Sequence, residues 1–229
     1  MMRVVITSGG TEEPLDGVRY ITNFSTGATG AGLAAYFCRH GAEVILLHGY
    51  RSVTPEPHPR LRCLHYRSFS DLDSGLRQVL ADEEDIDAVI HLAAVSDFSP
   101  VSIELPDGRE IPAGSDGKLP SDVSSLNIRM VRNHKILQRI RSYAAPRRIT
   151  LVGFKLTNSA VEAQRNSAVR KILEDTDLDF LIHNDLSEIT ETTHRFAMHT
   201  GTGDIVARCE TKAELYGELF RALSAREEE

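Results

Sequence analysis

The sequence lacks any apolar run that approaches the roughly 18 consecutive residues of a membrane-spanning helix. A β-branched run begins at Met2, so we expect no signal peptide, no membrane contact and a cytoplasmic protein. A basic balance is lacking too: 33 acidic residues outnumber 26 lysines and arginines, and the net charge of -7 argues against a general nucleic-acid role, with a local basic patch left open. The 3 cysteines have no CxxC spacing, which predicts reduced packing residues at Cys38, Cys63 and Cys209 rather than a metal or redox site.

Several catalytic signatures are missing as well. The chain contains neither a GxSxG nucleophile turn nor a P-loop signature, which argues against hydrolases of that type and P-loop enzymes. The histidines are not at HExxH or similar metal-ligand spacing, so we expect them to be structural.

What is present is an alternation of short buried strands and amphipathic helices along the whole chain. Strands are predicted at 2–6, 44–47, 61–66, 86–94, 127–131, 148–154 and 178–183, and helices at 31–40, 70–81 (with Ser70 as a possible N-cap), 134–142, 159–173 and 211–224. This order predicts an α/β fold with a Rossmann-like, doubly wound and mostly parallel sheet. Residues 1–229 are expected to form a single domain, with fraying at 227–229.

The first strand runs into a glycine-rich loop that opens the first helix. Glycines let a ligand approach the backbone, and a helix N-terminus offers free N–H groups, so this loop predicts a phosphate site. Its candidate ligand-binding residues are Gly9, Gly10, Thr11, Ser25, Gly27 and Gly30. Arg19 is a candidate donor to an anion, or else a surface arginine paired with Glu12, Glu13 or Asp16. Asn23 either contacts a ligand or supports the turn, and Ser25 either contacts phosphate or caps the helix.

The end of the fourth strand is a second candidate site. The small residues Ala93, Ala94 and Val95 leave room for a flat ring against the backbone. Asp97 follows them and could hold magnesium, accept an amine proton or bind a ribose hydroxyl. The alternative is that Asp97 only begins the next loop.

Residues 99–126 are rich in proline, glycine, aspartate and serine and predict a long irregular segment. Because it leaves the carboxyl end of a strand, we interpret it as a mobile lid, with a disordered insertion as the alternative. Lys118 lies in this segment and could deliver positive charge to a transition state, or could simply be solvated. Further on, 195–199 and 204–209 predict a β-hairpin.

These motifs together resemble the phosphopantothenate–cysteine ligase family, in its stand-alone bacterial form. The matching blocks are 6–11 (ITSGGT), 16–27 (DGVRYITNFSTG), 93–100 (AAVSDFSP), 117–119 (GKL), 152–156 (VGFKL) and 184–186 (NDL). The resemblance implies that 4′-phosphopantothenate attacks the α-phosphorus of CTP (or ATP), with Mg²⁺, to form an acyl-nucleotide. L-cysteine then displaces the monophosphate, giving 4′-phosphopantothenoylcysteine for coenzyme A biosynthesis.

The resemblance also implies roles for individual residues. Lys118 matches the lysine that assists acyl-nucleotide formation, Asn23 the asparagine of the second step, and Arg19 an arginine of the same site. Residues 93–97 and Phe154 match segments around the nucleotide. Family members are homodimers with a strand-rich dimerisation element, for which the hairpin at 193–209 is our candidate. The chain departs from the fused bacterial form at Ala28 and after Lys118, where that form carries further lysines, so CTP and ATP both stay open.

Two alternatives remain. A short-chain-type oxidoreductase that uses NAD(P) would suit the predicted sheet, and Arg51 could bind a 2′-phosphate. Against it, the chain has no Tyr-x-x-x-Lys pair, and its first loop has no GxGxxG motif. The other alternative is a non-catalytic nucleotide-binding protein.

Overall fold

A computed structural model describes residues 1–159, 161–190 and 193–227. Its strands are β1 (Arg3–Ser8), β2 (Glu12–Pro14), β3 (Tyr20–Thr22), β4 (Glu43–Gly49), β5 (Leu61–Tyr66), β6 (Ala88–His91), β7 (Phe98–Glu104), β8 (Glu110–Pro112), β9 (Asn127–Arg132), β10 (Thr150–Thr157), β11 (Phe180–Asp185), β12 (Phe196–Thr200) and β13 (Ile205–Cys209). Its helices are α1 (Ala28–Arg39), α2 (Phe69–Asp82), α3 (Ile140–Ala144), α4 (Glu162–Asp175) and α5 (Lys212–Glu227).

An eight-stranded sheet organises the chain in the order β13-β12-β11-β10-β6-β1-β4-β5. The strands from β11 to β5 are parallel, and β12 and β13 are added antiparallel at one edge. The chain moves outward from β1 to β4 and β5, then returns to β6 and continues in the opposite direction through β10. The predicted Rossmann-like α/β fold is therefore confirmed, and its direction reverses between β1 and β6.

Helices cover both faces of this sheet. Successive strand residues point to opposite faces, so Val4 and Ile6 of β1 pack with α1 and α5, whereas Val5 packs with α2, α3 and α4. Phe37 and Leu72 are fully buried on the two faces. Burying a side chain of this size contributes about 1.5–3 kcal/mol, so both helix layers stabilise the sheet that carries the site.

Several element boundaries differ from the sequence predictions. Helix α2 is capped by Ser68 rather than Ser70, because Ser68 and Asp71 form a reciprocal capping box. The predicted helix at 134–142 is a 3₁₀ turn at Ile136–Gln138 followed by the short α3. Helix α5 extends to Glu227, beyond the predicted end at residue 224. Ala160, inside the helix predicted at 159–173, and residues 228–229 lie outside the described part of the chain.

The segment predicted to be irregular, 99–126, contains two strands. β7 pairs antiparallel with β8 and β9, and the three form a separate sheet in the order β8-β7-β9. Proline is compatible with these strands because Pro100 lies at a register shift and Pro112 ends the edge strand β8. Ile103 of β7 is fully buried, and Ser99 Oγ of the same strand donates to Glu13 Oε2 at 2.9 Å, which links this small sheet to β2.

The predicted hairpin is present as β12 and β13, but it extends the main sheet instead of forming a separate element. Cys38 and Cys209 are buried, and burial raises the pKa of each thiol to about 11. Cys63 is exposed on β5, so the prediction that it is a packing residue is wrong. Within the described ranges no helix is both long and apolar enough to cross a membrane.

Candidate active site

A cavity of about 840 Å³ opens at the carboxyl ends of β1, β6 and β10. Its walls come from the loop at 23–27, the first turn of α1, the segments at 91–97 and 132–138, and parts of α4 and α5. Parallel sheets bind ligands where the strand order reverses, and this cavity lies at that point. The fold therefore brings together segments that are far apart in sequence.

The first turn of α1 forms one wall and is open to an anion. Gly27 is the N-cap with φ 74° and has no side chain to cap the helix, and the Ala28 N–H makes one long contact, 3.4 Å, with Thr26 Oγ1. Only glycine adopts that φ readily, and a Cβ on Gly30 would lie 2.5 Å from Ser8 Cβ. The free N–H groups and the positive end of the helix dipole thus face the cavity, which is the arrangement that binds phosphate.

The cavity wall carries an excess of positive charge although the chain is acidic overall. Among the described residues its charged lining consists of Arg132, Lys135, Lys155, Lys171 and Lys212 against Asp97 and Asp175. Within the same described ranges, the side-chain ammonium groups of Lys155, Lys171 and Lys212 take part in no hydrogen bond or ion pair. Unpaired cations around one cavity attract a polyanion, so the wall favours a ligand such as a nucleoside triphosphate.

Ten of the sequence-predicted site residues line the cavity. They are Gly9, Asn23, Ser25, Gly27, Gly30, Ala93, Ala94, Val95, Asp97 and Phe154. The amide of Asn23 donates from Nδ2 to the Val95 carbonyl at 3.0 Å, which ties the glycine loop to the segment after β6. Gly10 and Thr11 do not line the cavity, but they connect the same two segments. Gly10 forms a β-bridge with Ala94, and Thr11 Oγ1 lies 2.8 Å from Ser96 Oγ.

Arg19 and Lys118 lie outside the cavity lining. Arg19 Nε pairs with Asp16 Oδ2 at 3.0 Å, which is the alternative that the sequence left open. Arg19 Nη2 donates to the Leu119 carbonyl at 2.6 Å, and the Leu119 N–H donates to Asp16 Oδ2 at 2.9 Å. Chiefly this N–H lowers the pKa of Asp16 to about 2. Asp16 and Arg19 therefore hold the turn that carries the exposed Lys118.

Other cavity residues were not predicted from the sequence. Asn184 Nδ2 lies 3.0 Å from His194 Nε2, and the His194 ring stacks on Phe196 at 4.3 Å between centroids. Burial and the charge of Lys212 lower the pKa of His194. His91 lies in the cavity wall with its pKa lowered to about 4 by burial, so it is neutral at pH 7. The sequence signals for this group were the matching block at 184–186 and the position of Asn184 at a strand end.

The comparisons with known proteins agree with the resemblance in the motifs. A family model described as "DNA/pantothenate metabolism flavoprotein C-terminal domain" matches residues 1–225. The chain belongs to this family. A solved structure of the DNA/pantothenate metabolism flavoprotein from Streptococcus pneumoniae has a TM-score of 0.86 and 27% sequence identity to this chain. The match covers 99% of this chain and 100% of the chain from Streptococcus pneumoniae.

The similar curated members of the family are longer proteins. The coenzyme A biosynthesis bifunctional protein CoaBC of Escherichia coli K12 is 30% identical over 224 residues, covering 96% of this chain and 50% of that protein. CoaBC of Methanocaldococcus jannaschii is 31% identical over 188 residues, covering 81% of this chain and 41% of that protein. The chain thus spans about half the length of the curated relatives it matches. A structure of Cab2 with phosphopantothenate-cysteine, at 22% identity and a TM-score of 0.74, shares the fold.

Proposed function

We propose that this chain is a phosphopantothenate–cysteine ligase that uses a nucleoside triphosphate, CTP or ATP. The proposal depends on one observation: a single cavity contains both a site suited to a triphosphate and a site suited to an acyl-nucleotide. An uncapped helix N-terminus with a wall of cations suits the triphosphate, and Asn23 stands beside the small residues after β6, where an acyl-nucleotide would lie. Membership of a family whose relatives are named for coenzyme A biosynthesis supports it.

In the first step the carboxylate oxygen of 4′-phosphopantothenate forms a bond to the α-phosphorus, and the bond to pyrophosphate breaks. Negative charge increases on the leaving pyrophosphate and on the phosphoryl oxygens. The N–H groups of α1 and the unpaired ammonium groups of Lys155, Lys171 and Lys212 would stabilise that charge. Lys118 would add its charge when the segment at 99–126 closes over the cavity.

In the second step the amine of L-cysteine attacks the acyl carbon, loses a proton and displaces the nucleoside monophosphate. Asn23 would hold the acyl-nucleotide for this attack, because its amide is fixed against the Val95 carbonyl at the cavity wall. Arg19 acts as a positioning residue in this scheme, since it reaches the reaction only through Leu119 and the turn of Lys118.

Magnesium fits this site as a partner of the triphosphate. Among the described residues no group of three or more His, Cys, Asp or Glu side chains is placed to hold a metal ion. The carboxylate of Asp97 lies at the cavity and is the type of oxygen ligand that Mg²⁺ prefers. Asp97 would therefore supply one ligand, with the phosphates supplying others, and the ion would neutralise phosphate charge.

The experiment that tests the proposal is a pyrophosphate-release assay with single omissions. We expect release to require the triphosphate, 4′-phosphopantothenate and Mg²⁺ together, and phosphopantothenoylcysteine to form only when L-cysteine is added. A panel of CTP, ATP, GTP and UTP decides the nucleotide. Nucleotide binding without release would favour the non-catalytic alternative, whereas tight binding of NAD(P) in the cavity would favour the oxidoreductase.

We also propose that two copies of the chain associate through the hairpin of β12 and β13. β13 is the last strand of the sheet, so one side of its backbone is unpaired in the sheet, and Ile205 and Val206 are exposed. We expect a solution mass of twice the 25.4 kDa chain by light scattering, and a shift toward monomer in Val206→Lys. Val53→Lys, at a similarly exposed valine, is the control, and a Val206→Lys dimer as stable as wild type would contradict the proposal.

A further inference from the structure

Beyond β9 the rim of the cavity includes His134 and Lys135, and Asn133 precedes them outside the lining. Asn133 is tied to the segment after β6: its N–H donates to the Asp97 carbonyl at 2.8 Å, and its Nδ2 donates to the Ser96 carbonyl at 3.0 Å. These contacts fix the rim against the residues that the sequence assigned to the nucleotide.

His134 is anchored to Asp73 of α2 instead of to the segment after β6. Its Nε2 lies 3.0 Å from Asp73 Oδ1, and the hydroxyl of Tyr143 donates to the same oxygen at 2.5 Å. The ring of Phe69 meets the His134 ring edge-on at 4.9 Å between centroids. The residues before Lys135 are therefore held by the fold, and Ile136 after it is buried.

Lys135 itself makes a contact of a different kind. Its Nζ pairs with Asp97 Oδ1, and the two side chains are 52% and 60% exposed. Pairs this exposed contribute little to folding, because solvent screens them. The backbone thus fixes where Lys135 stands, whereas its ammonium group can change partner at little cost.

We propose that Lys135 binds the nucleotide by exchanging its partner. The ligand expected from the proposed function, on which this inference rests, brings a divalent cation and anionic phosphate oxygens together. The pair at the rim offers one carboxylate and one ammonium group. On binding, the carboxylate of Asp97 turns to the divalent cation, and the ammonium group of Lys135 turns to a phosphate oxygen. No net charge has to be buried or left unpaired.

The exchange predicts opposite effects for the two partners. Calorimetric titration with CTP, and in parallel ATP, is carried out on the full chain in EDTA and in Mg²⁺. We expect Lys135→Met to weaken metal-free triphosphate binding about tenfold, because a charge-assisted contact is lost. We expect Asp97→Asn to strengthen metal-free triphosphate binding about threefold, because Lys135 is released from its ion pair. We also expect Asp97→Asn to lose most of the increase in triphosphate affinity that Mg²⁺ gives the wild-type protein.

The controls separate this pattern from a structural effect. Lys135→Arg keeps the charge and should keep wild-type affinity. Arg221→Met removes a similarly exposed ion pair, with Glu218 on α5, and should change neither affinity nor melting temperature. Metal-free affinity that is unchanged in Lys135→Met, or changes in the same direction in both partner variants, overturns the proposal. So does a wild-type protein that binds neither triphosphate.

Failure of this inference differs from failure of the proposed function. If the chain makes phosphopantothenoylcysteine but Lys135→Met binds triphosphate normally, the ligase stands and the exchange is wrong. If triphosphate binding depends on Lys135 and Asp97 as described but no pyrophosphate is released, the exchange stands and the ligase is wrong.

Discussion

Replacing Lys118 with glutamine is expected to slow pyrophosphate release about 100-fold, while triphosphate affinity changes little. Glutamine keeps much of the length and polarity of the side chain but removes its charge. In the proposed first step negative charge increases on the phosphoryl group, so a cation that arrives only on closure stabilises the transition state more than the bound substrate. Lys118 lies outside the cavity lining here, which is why its loss should spare binding.

The measurement is a single-turnover burst of pyrophosphate with saturating triphosphate, paired with calorimetric binding. Arg109→Gln is the matched control, because Arg109 lies in the same 99–126 segment and pairs only with the neighbouring Asp107 among the described residues. An unchanged burst rate in Lys118→Gln would remove Lys118 from the mechanism. A loss of binding equal to the loss of rate would show that it holds the ground state instead.

The turn that carries Lys118 is attached to the glycine loop through Asp16. Asp16 is 4% exposed, and it accepts hydrogen bonds from the N–H groups of Val18, Arg19 and Leu119. A carboxylate with this many donors stays ionised, so the turn of Lys118 remains attached to the glycine loop at neutral pH. If the segment closes, it moves about this attachment.

The main sheet could be predicted because its physical signal is local. Runs such as Val4-Val5-Ile6 and Val44-Ile45-Leu46-Leu47 are buried on both faces, and parallel strands of that kind are continuously apolar. The strands β2 and β3 were missed because Glu12 and Glu13 are charged yet almost fully buried. Arg51 and Arg67 pair with Glu12 across the chain, and such distant partners leave no trace in a local pattern.

Some residues of the candidate site could be predicted from the sequence, and others could not. The glycine loop and the small residues after β6 could be found because each is a short local motif at a strand end. Lys171 on α4 and Lys212 on α5 could not, because only the packing of those helices brings them to one cavity. Arg19 is near the glycines in sequence, but the side chain of Asp16 draws it toward Leu119 instead.

Replacing Asn23 with aspartate is expected to let the acyl-nucleotide accumulate while product formation falls about 100-fold. Aspartate has the same size, but its carboxylate cannot donate the hydrogen bond that Asn23 Nδ2 gives to the Val95 carbonyl. It also adds a negative charge beside the acyl phosphate of the intermediate, which is already anionic. In the proposed mechanism the first step relies on the helix N-terminus and the lysines, so the rate of the first step should fall much less.

Rapid quench with radiolabelled triphosphate, in the presence of L-cysteine, measures both steps in one reaction. Asn166→Asp on the exposed side of α4 introduces the same charge change outside the cavity lining and should behave as wild type. Trapped acyl-nucleotide in Asn23→Asp alone would place Asn23 in the second step. Equal loss of both steps without trapped intermediate would mean that Asn23 only supports the loop, because a collapsed loop would withdraw the phosphate-binding turn and the acyl site together.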